Sequence, residues 1–385
     1  MKIVSVVGAR PNFMKIAPFA HAVERHNERA AQGQRIEHCL VHTGQHYDAK
    51  MSEDFFAALN IPSPSVNLGI GSGTHADQVG RTMMAFEKVV QEQRPDWVVV
   101  VGDVNATCAC SITAKKEVVN LAHIEAGLRS FDLAMPEEIN RMVTDRLSDL
   151  LFTTDALADG NLRNEGVPER KIRRVGNIMI DTLFANRDRA EQLDTGAIAE
   201  SKALPECAGA FDVQRLAPGA FAVLTMHRPS NVDDPETLGR LAGFLVDEVA
   251  SDMAVVWPIH PRTQARLKEF GLWDRVAGCP RIALLEPVGY HEMLKLNMDC
   301  RLMLTDSGGL QEECCVLGTP CLTLRWNTER PVTLTEHGGV SVLVGNDLEK
   351  IRAGYAAMKD KPRHPHAPPL WDGRTAERIL EALVG

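Results

Sequence analysis

Residues 97–107 read Trp-Val-Val-Val-Val-Gly-Asp-Val-Asn-Ala-Thr, and this stretch decides the fold. Trp97–Val101 is apolar without alternation, so the strand it forms is buried on both faces. Gly102 ends the strand, and Asp103 is placed to cap a following helix. A doubly buried strand leading into a helix is one unit of a parallel sheet covered on both sides.

The same unit recurs in both directions. Upstream, Ile3–Val7 is β-branched and ends at Gly8, and Phe13–Asn27 has helical spacing. Ile36–Val41 is a further strand, and His75–Gln93 is a helix with Val79, Met83, Phe86 and Val90 on one face. Downstream, Asn120–Ile124 and Leu150–Thr153 continue the series. The alternation lapses over Asp194–Gly219, where Pro205, Gly209 and Pro218 break any period. It restarts with strands at Ala222–Met226, Ala254–Pro258, Ile282–Leu285, Leu302–Thr305, Cys321–Leu324 and Val342–Val344.

A chain of 385 residues exceeds one compact core. The fold class expected is α/β, with two doubly wound Rossmann-like domains facing a cleft. The expected division is residues 1–190, a linker over 191–218, a second domain over 219–368, and a C-terminal segment, 369–385. That last segment holds an amphipathic helix, Gly373–Leu383, behind a Pro-rich crossing, and is expected to pack back on the first domain.

A net charge of −9 speaks against a nucleic-acid partner. No apolar run is long enough to span a bilayer, so no membrane partner is expected. The first apolar run has no small-residue cleavage site before Arg10 and reads as a strand, which points to a cytoplasmic protein. The nine Cys form no CxxC pair and read as reduced thiols. The histidines lack ligand spacing, so no metal is expected.

In open parallel sheets ligands bind beyond the carboxyl ends of the strands, and polar clusters recur there. After the first strand come Gly8-Ala9-Arg10-Pro11-Asn12 and then Lys15, a cationic pair at a helix start suited to an anion. The second and third glycines of a dinucleotide fingerprint are missing. Asp103 follows the Trp97–Val101 strand, and Glu125 stands directly at the next strand's end. Pro136-Glu137-Glu138-Ile139-Asn140-Arg141 opens a helix in which Glu137 and Arg141 are i,i+4 neighbours. In the second half His227 and Arg228 follow a strand, and His260-Pro261-Arg262 follows another. Asp306-Ser307-Gly308-Gly309 opens a helix with unhindered N–H groups, a geometry that holds a diphosphate. Glu312 or Glu313, one turn in, is placed to accept from ribose hydroxyls.

Eleven strings occur in order: GARPNFMKIAP, TGQHYD, MSEDFF, VGDVNAT, HIEAGLRS, PEEINR, HRPSNVD, HPRT, DSGGLQEE, NTERPVT and WDGRTAERI. Together they resemble the non-hydrolysing UDP-N-acetylglucosamine 2-epimerases, over essentially the whole chain. The resemblance implies the glycosyltransferase-B fold and inversion at C2 of UDP-N-acetylglucosamine to give UDP-N-acetylmannosamine. It implies catalytic roles for Asp103, Glu125, Glu137 and His227, and substrate contacts by Arg10, Lys15 and Arg141. For UDP it implies the Ser307, Gly308, Gly309 turn, Glu313 at the ribose, Arg330, and a base pocket from Val288 to Met293. UDP-N-acetylglucosamine and UDP are the expected partners, and a homodimer the expected assembly.

The chain departs from the family pattern in three places. The segment between Glu125 and Glu137 is short. Gly339–Gly345 lacks a Gly-Thr-Asn found in many members. Gln45-His46-Tyr47-Asp48 and Thr74–Gln78 do not match the strings that bind activating substrate, so activation by substrate is not expected.

The C2 proton of an N-acetylamino sugar has no adjacent carbonyl in the ring. The family route therefore breaks C1–O to UDP as C2–H breaks, giving a 2-acetamidoglucal, and then adds UDP back, a route that calls for no cofactor. Rival readings are a 2-epimerase of a modified UDP-2-acetamido sugar such as a diacetamido uronic acid, a hydrolysing 2-epimerase, a UDP-sugar glycosyltransferase, and a non-catalytic nucleotide-sugar sensor.

Overall fold

The computed structural model describes residues 1–8, 10–44, 59, 61–207 and 211–385, with the side chains of Arg10 and Pro11 outside that description. Two compact units result: Met1–Ala185 together with Pro368–Gly385, and Asn186–Ala367.

The strands of the first unit are β1 (Lys2–Val7), β2 (Glu37–His42), β3 (Val66–Asn67), β4 (Trp97–Val101), β5 (Asn120–Ala126), β6 (Leu150–Thr153) and β7 (Ile172–Arg174). They pair in parallel in the order β3-β2-β1-β4-β5-β6-β7. Those of the second are β8 (Phe221–Thr225), β9 (Ala254–Pro258), β10 (Ile282–Leu285), β11 (Leu302–Thr305), β12 (Cys321–Thr323) and β13 (Ser341–Leu343). They too are parallel, in the order β10-β9-β8-β11-β12-β13. Counted from its own first strand, the second sheet runs 3-2-1-4-5-6 and the first runs 3-2-1-4-5-6-7, the doubly wound order with one strand added, so each has one switch point where the winding reverses. These points lie between β1 and β4 and between β8 and β11.

The unbroken apolar strands behave as expected. Val98, Val99, Val100 and Val101 are at most 1% exposed, which requires cover on both faces. Along β8, Ala222 and Leu224 enter one core while Phe221 and Val223 enter the other, the period-2 alternation of a sheet between two layers. β5 runs two residues beyond Ile124, the end read from the sequence, because a bulge between Ile124 and Ala126 carries Glu125.

The described residues of the stretch 191–218, expected as a linker, fold as part of the second unit. It holds a helix, Thr195–Lys202, which Asp194 caps by accepting from Ala197 N. Ile198 and Ala199 join the core, and Leu204 N donates to Leu284 O. Its apolar residues are too few to show a period, so only tertiary packing orders it.

From Pro368 the chain is again part of the first unit. Trp371 is buried and its Nε1 donates to Thr154 O. The helix Thr375–Val384 starts on Asp181, whose carboxylate accepts from Thr375 N and Ala376 N. Among the described residues no helix is long and apolar enough to cross a membrane.

Candidate active site

The first unit gathers its polar residues at the β1/β4 switch point. Asn12 Oδ1 accepts from Gly8 N at 3.2 Å and its Nδ2 donates to Val101 O at 2.9 Å, joining the β1 loop to the end of β4. One turn along the helix Arg10–Arg29, Lys15 reaches back and pairs with Glu125. Both are nearly buried, with side-chain exposures of 8% and 3%. A buried ammonium and carboxylate are tolerable only as a pair. The Arg10 side chain, expected beside Lys15, lies outside the described residues.

Glu125 holds a left-handed φ of +75°, a conformation costly for a side chain with a Cβ. The bulge at this residue aims its carboxylate across Gly102. A Cβ on Gly102 would meet Lys15 Nζ at 3.1 Å, Asn12 Nδ2 at 3.3 Å and Glu125 Oε2 at 3.6 Å. Gly102 is therefore the floor of the ion pair, and its own φ is +68°.

Asp103, next along, pairs with Arg141 at 2.6 Å, and Asn140 Nδ2 donates to its carbonyl at 2.9 Å. Arg141 also binds Glu138 at 2.5 Å, at i,i+3. Glu138 is buried and accepts from Ser130 N, Ser130 Oγ and Phe131 N, so it clamps the short loop before the helix Pro136–Leu147. Glu137, the expected catalytic residue, is exposed on the first turn of that helix. The sequence could not separate the adjacent glutamates. The burial of Glu138 follows from its place on the helix's inward stripe.

The second unit repeats the pattern at the β8/β11 switch point. Asp306, fully buried after β11, accepts from His227 N at 2.9 Å, Arg228 N at 2.8 Å and Asn231 Nδ2 at 3.1 Å. Its other oxygen stands 2.9 Å from His227 Nδ1. Burial pushes this carboxyl up, but His227 and the two backbone N–H groups outweigh it, leaving it below its ordinary value. The half-exposed His227 ring is thus held by a carboxylate to which the sequence alone assigns no role.

Ser307 N donates to Thr305 Oγ1 at 3.0 Å, and the helix Gly308–Leu317 begins directly after. A Cβ on Gly308 would lie 2.8 Å from Arg330 Nη1, so glycine lets the helix start rest on the guanidinium. Arg330 pairs with Glu312 at 2.6 Å and with Glu329, and Arg325 pairs with Glu329 at 2.6 Å. All four groups are buried. Val288 and Tyr290 are buried on either side of Gly289, and Met293 packs partly buried against the same core.

Glu313, also buried, has its carboxyl pushed up to about 7 by burial; the Glu312 charge adds to this, and Tyr290 and Asn297 oppose it. The folded form therefore binds a proton more tightly than the unfolded chain. Its contribution to stability is full below the ordinary value of 4.5 and is lost as pH rises through about 7. Glu313→Gln is expected to flatten the fall of Tm between those limits and to raise Tm on the alkaline side. Parallel Tm–pH curves for the two proteins would contradict this.

The structure thus assembles Lys15, Glu125, Asp103 and Arg141 in the first unit, and His227, Ser307, Gly308, Gly309, Glu313 and Arg330 around the first turns of one helix in the second. The chemistry available is proton exchange by carboxylates in one unit and anion binding in the other.

A family model described as UDP-N-acetylglucosamine 2-epimerase matches residues 28–384. The UDP-N-acetylglucosamine 2-epimerase of Methanocaldococcus jannaschii is 41% identical over 385 residues, covering 100% of this chain and 99% of its own. A crystal structure of that protein in complex with UDP-GlcNAc and UDP superposes with a TM-score of 0.86. The UDP-2,3-diacetamido-2,3-dideoxy-D-glucuronate 2-epimerase of Pseudomonas aeruginosa is 37% identical, covering 100% of this chain and 99% of its own. A sucrose-phosphate synthase from Thermosynechococcus elongatus shares the fold alone, at 12% identity and a TM-score of 0.56, with 100% of this chain and 96% of that one covered.

Proposed function

The chain belongs to the UDP-N-acetylglucosamine 2-epimerase family, and from that premise we propose that it interconverts UDP-N-acetylglucosamine and UDP-N-acetylmannosamine without net hydrolysis. The observation that carries the reading is the buried Glu125, held at a strained backbone angle against Lys15. Such an arrangement stores structural cost where proton chemistry is done.

In this reading the second unit holds UDP. The Ser307 hydroxyl, the N–H groups of Gly308 and Gly309 and the His227 ring receive the charge that develops on the diphosphate as C1–O breaks. Glu313 accepts from the ribose, and Val288–Met293 border the base. The first unit acts at C2: one of Asp103, Glu125 and Glu137 takes the proton, and a second acid returns it to the opposite face. The glucal and UDP then recombine with C2 inverted.

Full-length protein with UDP-N-acetylglucosamine and no acceptor should yield UDP-N-acetylmannosamine and no accumulating free UDP. Accumulation of UDP with free sugar would make it a hydrolase, and no conversion without an acceptor would favour a transferase. Because the Pseudomonas aeruginosa relative is named for a diacetamido uronate, that substrate belongs in the same assay. The proposal includes a homodimer, supported by exposed Met84, Ile139 and Met142 on the first unit. Light scattering should then give twice the chain mass. Nine free thiols suit a reducing compartment, and a cytoplasmic location is part of the same reading.

A further inference from the structure

We propose that His123 is a positioning residue, a buried ring that, with Asp145, ties the turn before Asp103 to the turn after Glu125. The inference rests on the reading that these two carboxylates work on the substrate.

His123 lies on β5, two residues before Glu125, with no exposed side-chain surface. Its Nε2 is 2.8 Å from Gly102 O and its Nδ1 is 2.7 Å from Asp145 Oδ1. A backbone carbonyl can only accept. Asp145 can also only accept while ionised, and its surroundings keep it so. Its second oxygen receives Arg129 Nη1 at 2.7 Å and Gly127 N at 3.1 Å. Burial pushes the Asp145 carboxyl up, but His123 and Arg129 together bring it below its ordinary value.

Both ring nitrogens therefore point at acceptors, and away from water each of these hydrogen bonds is costly to lose. Arg129 pairs with the part-exposed Glu165 at 2.7 Å as well as with the buried Asp145, so the far end of the contact is anchored in turn.

The pair grips two particular peptide groups. Gly102 O belongs to the peptide that leads into Asp103, and Gly127 N lies two residues after Glu125. Gly102, Glu125 and Gly127 all have left-handed φ values, +68°, +75° and +80°. A run of such angles persists only where the surroundings over-determine it. The His123–Asp145 strut supplies that determination from beneath, without touching the substrate.

The test uses the full chain with His123→Gln, Asp145→Asn and the double variant. Glutamine can reach Gly102 O or Asp145 but not both, and asparagine cannot accept on both oxygens as the carboxylate does. Each folded single variant should lose about 100-fold in kcat, with KM and UDP affinity within about threefold of the parent, and the double variant should lose little more than either, because both residues act through one contact. A parental kcat in folded His123→Gln, or losses that multiply in the double variant, would overturn the proposal, and Asp145→Asn carries the same reading where His123→Gln does not fold. Absence of epimerase activity in the parent would instead overturn the functional reading.

Discussion

Glu125→Gln is expected to lower kcat by about 10³-fold while leaving UDP affinity within about threefold, the signature of a lost acid–base group and an intact nucleotide site. Glutamine matches glutamate in shape but neither takes nor returns a proton. The substitution also removes the counter-ion of Lys15, whose side chain is only 8% exposed. Breaking a buried pair from one side costs about 3–5 kcal/mol, so a fall in stability is expected as well. The two effects separate in the double variant Lys15→Met/Glu125→Gln. Taking both charges away together restores most of the stability and none of the turnover. Activity returning together with stability would mean that Glu125 is structural. Urea unfolding and initial rates on the same samples decide between these outcomes.

Arg330→Met is expected to cost about 3–5 kcal/mol of unfolding free energy and to abolish measurable UDP binding. The guanidinium is the partner of Glu312, whose side chain is 1% exposed, and it shares Glu329 with Arg325. Without it Glu312 is a buried carboxylate with its counter-ion gone. The same guanidinium lies under Gly308, so the helix start that presents N–H groups loses its support. Arg330→Lys should recover little, because an ammonium cannot address two carboxylates with the fixed fork of a guanidinium. Glu312→Gln/Arg330→Met should regain stability but not affinity. Parental stability in Arg330→Met would show that the network does not hold this turn.

Much of this is legible in the sequence alone. Uninterrupted runs such as Val98–Val101 announce a doubly covered parallel sheet. The rule that ligands gather beyond strand ends then singled out Gly102-Asp103, Glu125, His227 and Ser307–Gly309. What stayed hidden depended on partners distant in sequence. Nothing near Asp306 indicates that its carboxylate closes on the loop bearing His227, 79 residues away. The buried role of Glu138 could not be told from the exposed one of Glu137 without the helix's orientation. His123 sits in the middle of an apolar strand, where a histidine reads as ordinary core, and only its two facing acceptors distinguish it. The helix Thr195–Lys202 escaped notice because its order comes from packing on the second unit's core and not from its own pattern.

Solvent deuterium reports most directly on proton exchange at C2 coupled to departure of UDP. Full-length protein is incubated with UDP-N-acetylglucosamine in deuterated water, and both nucleotide sugars are recovered and examined by NMR and mass spectrometry. Elimination and re-addition predicts one deuterium at C2 of the UDP-N-acetylmannosamine formed, and none elsewhere on the ring. Epimerised product that keeps its original C2 hydrogen would contradict it.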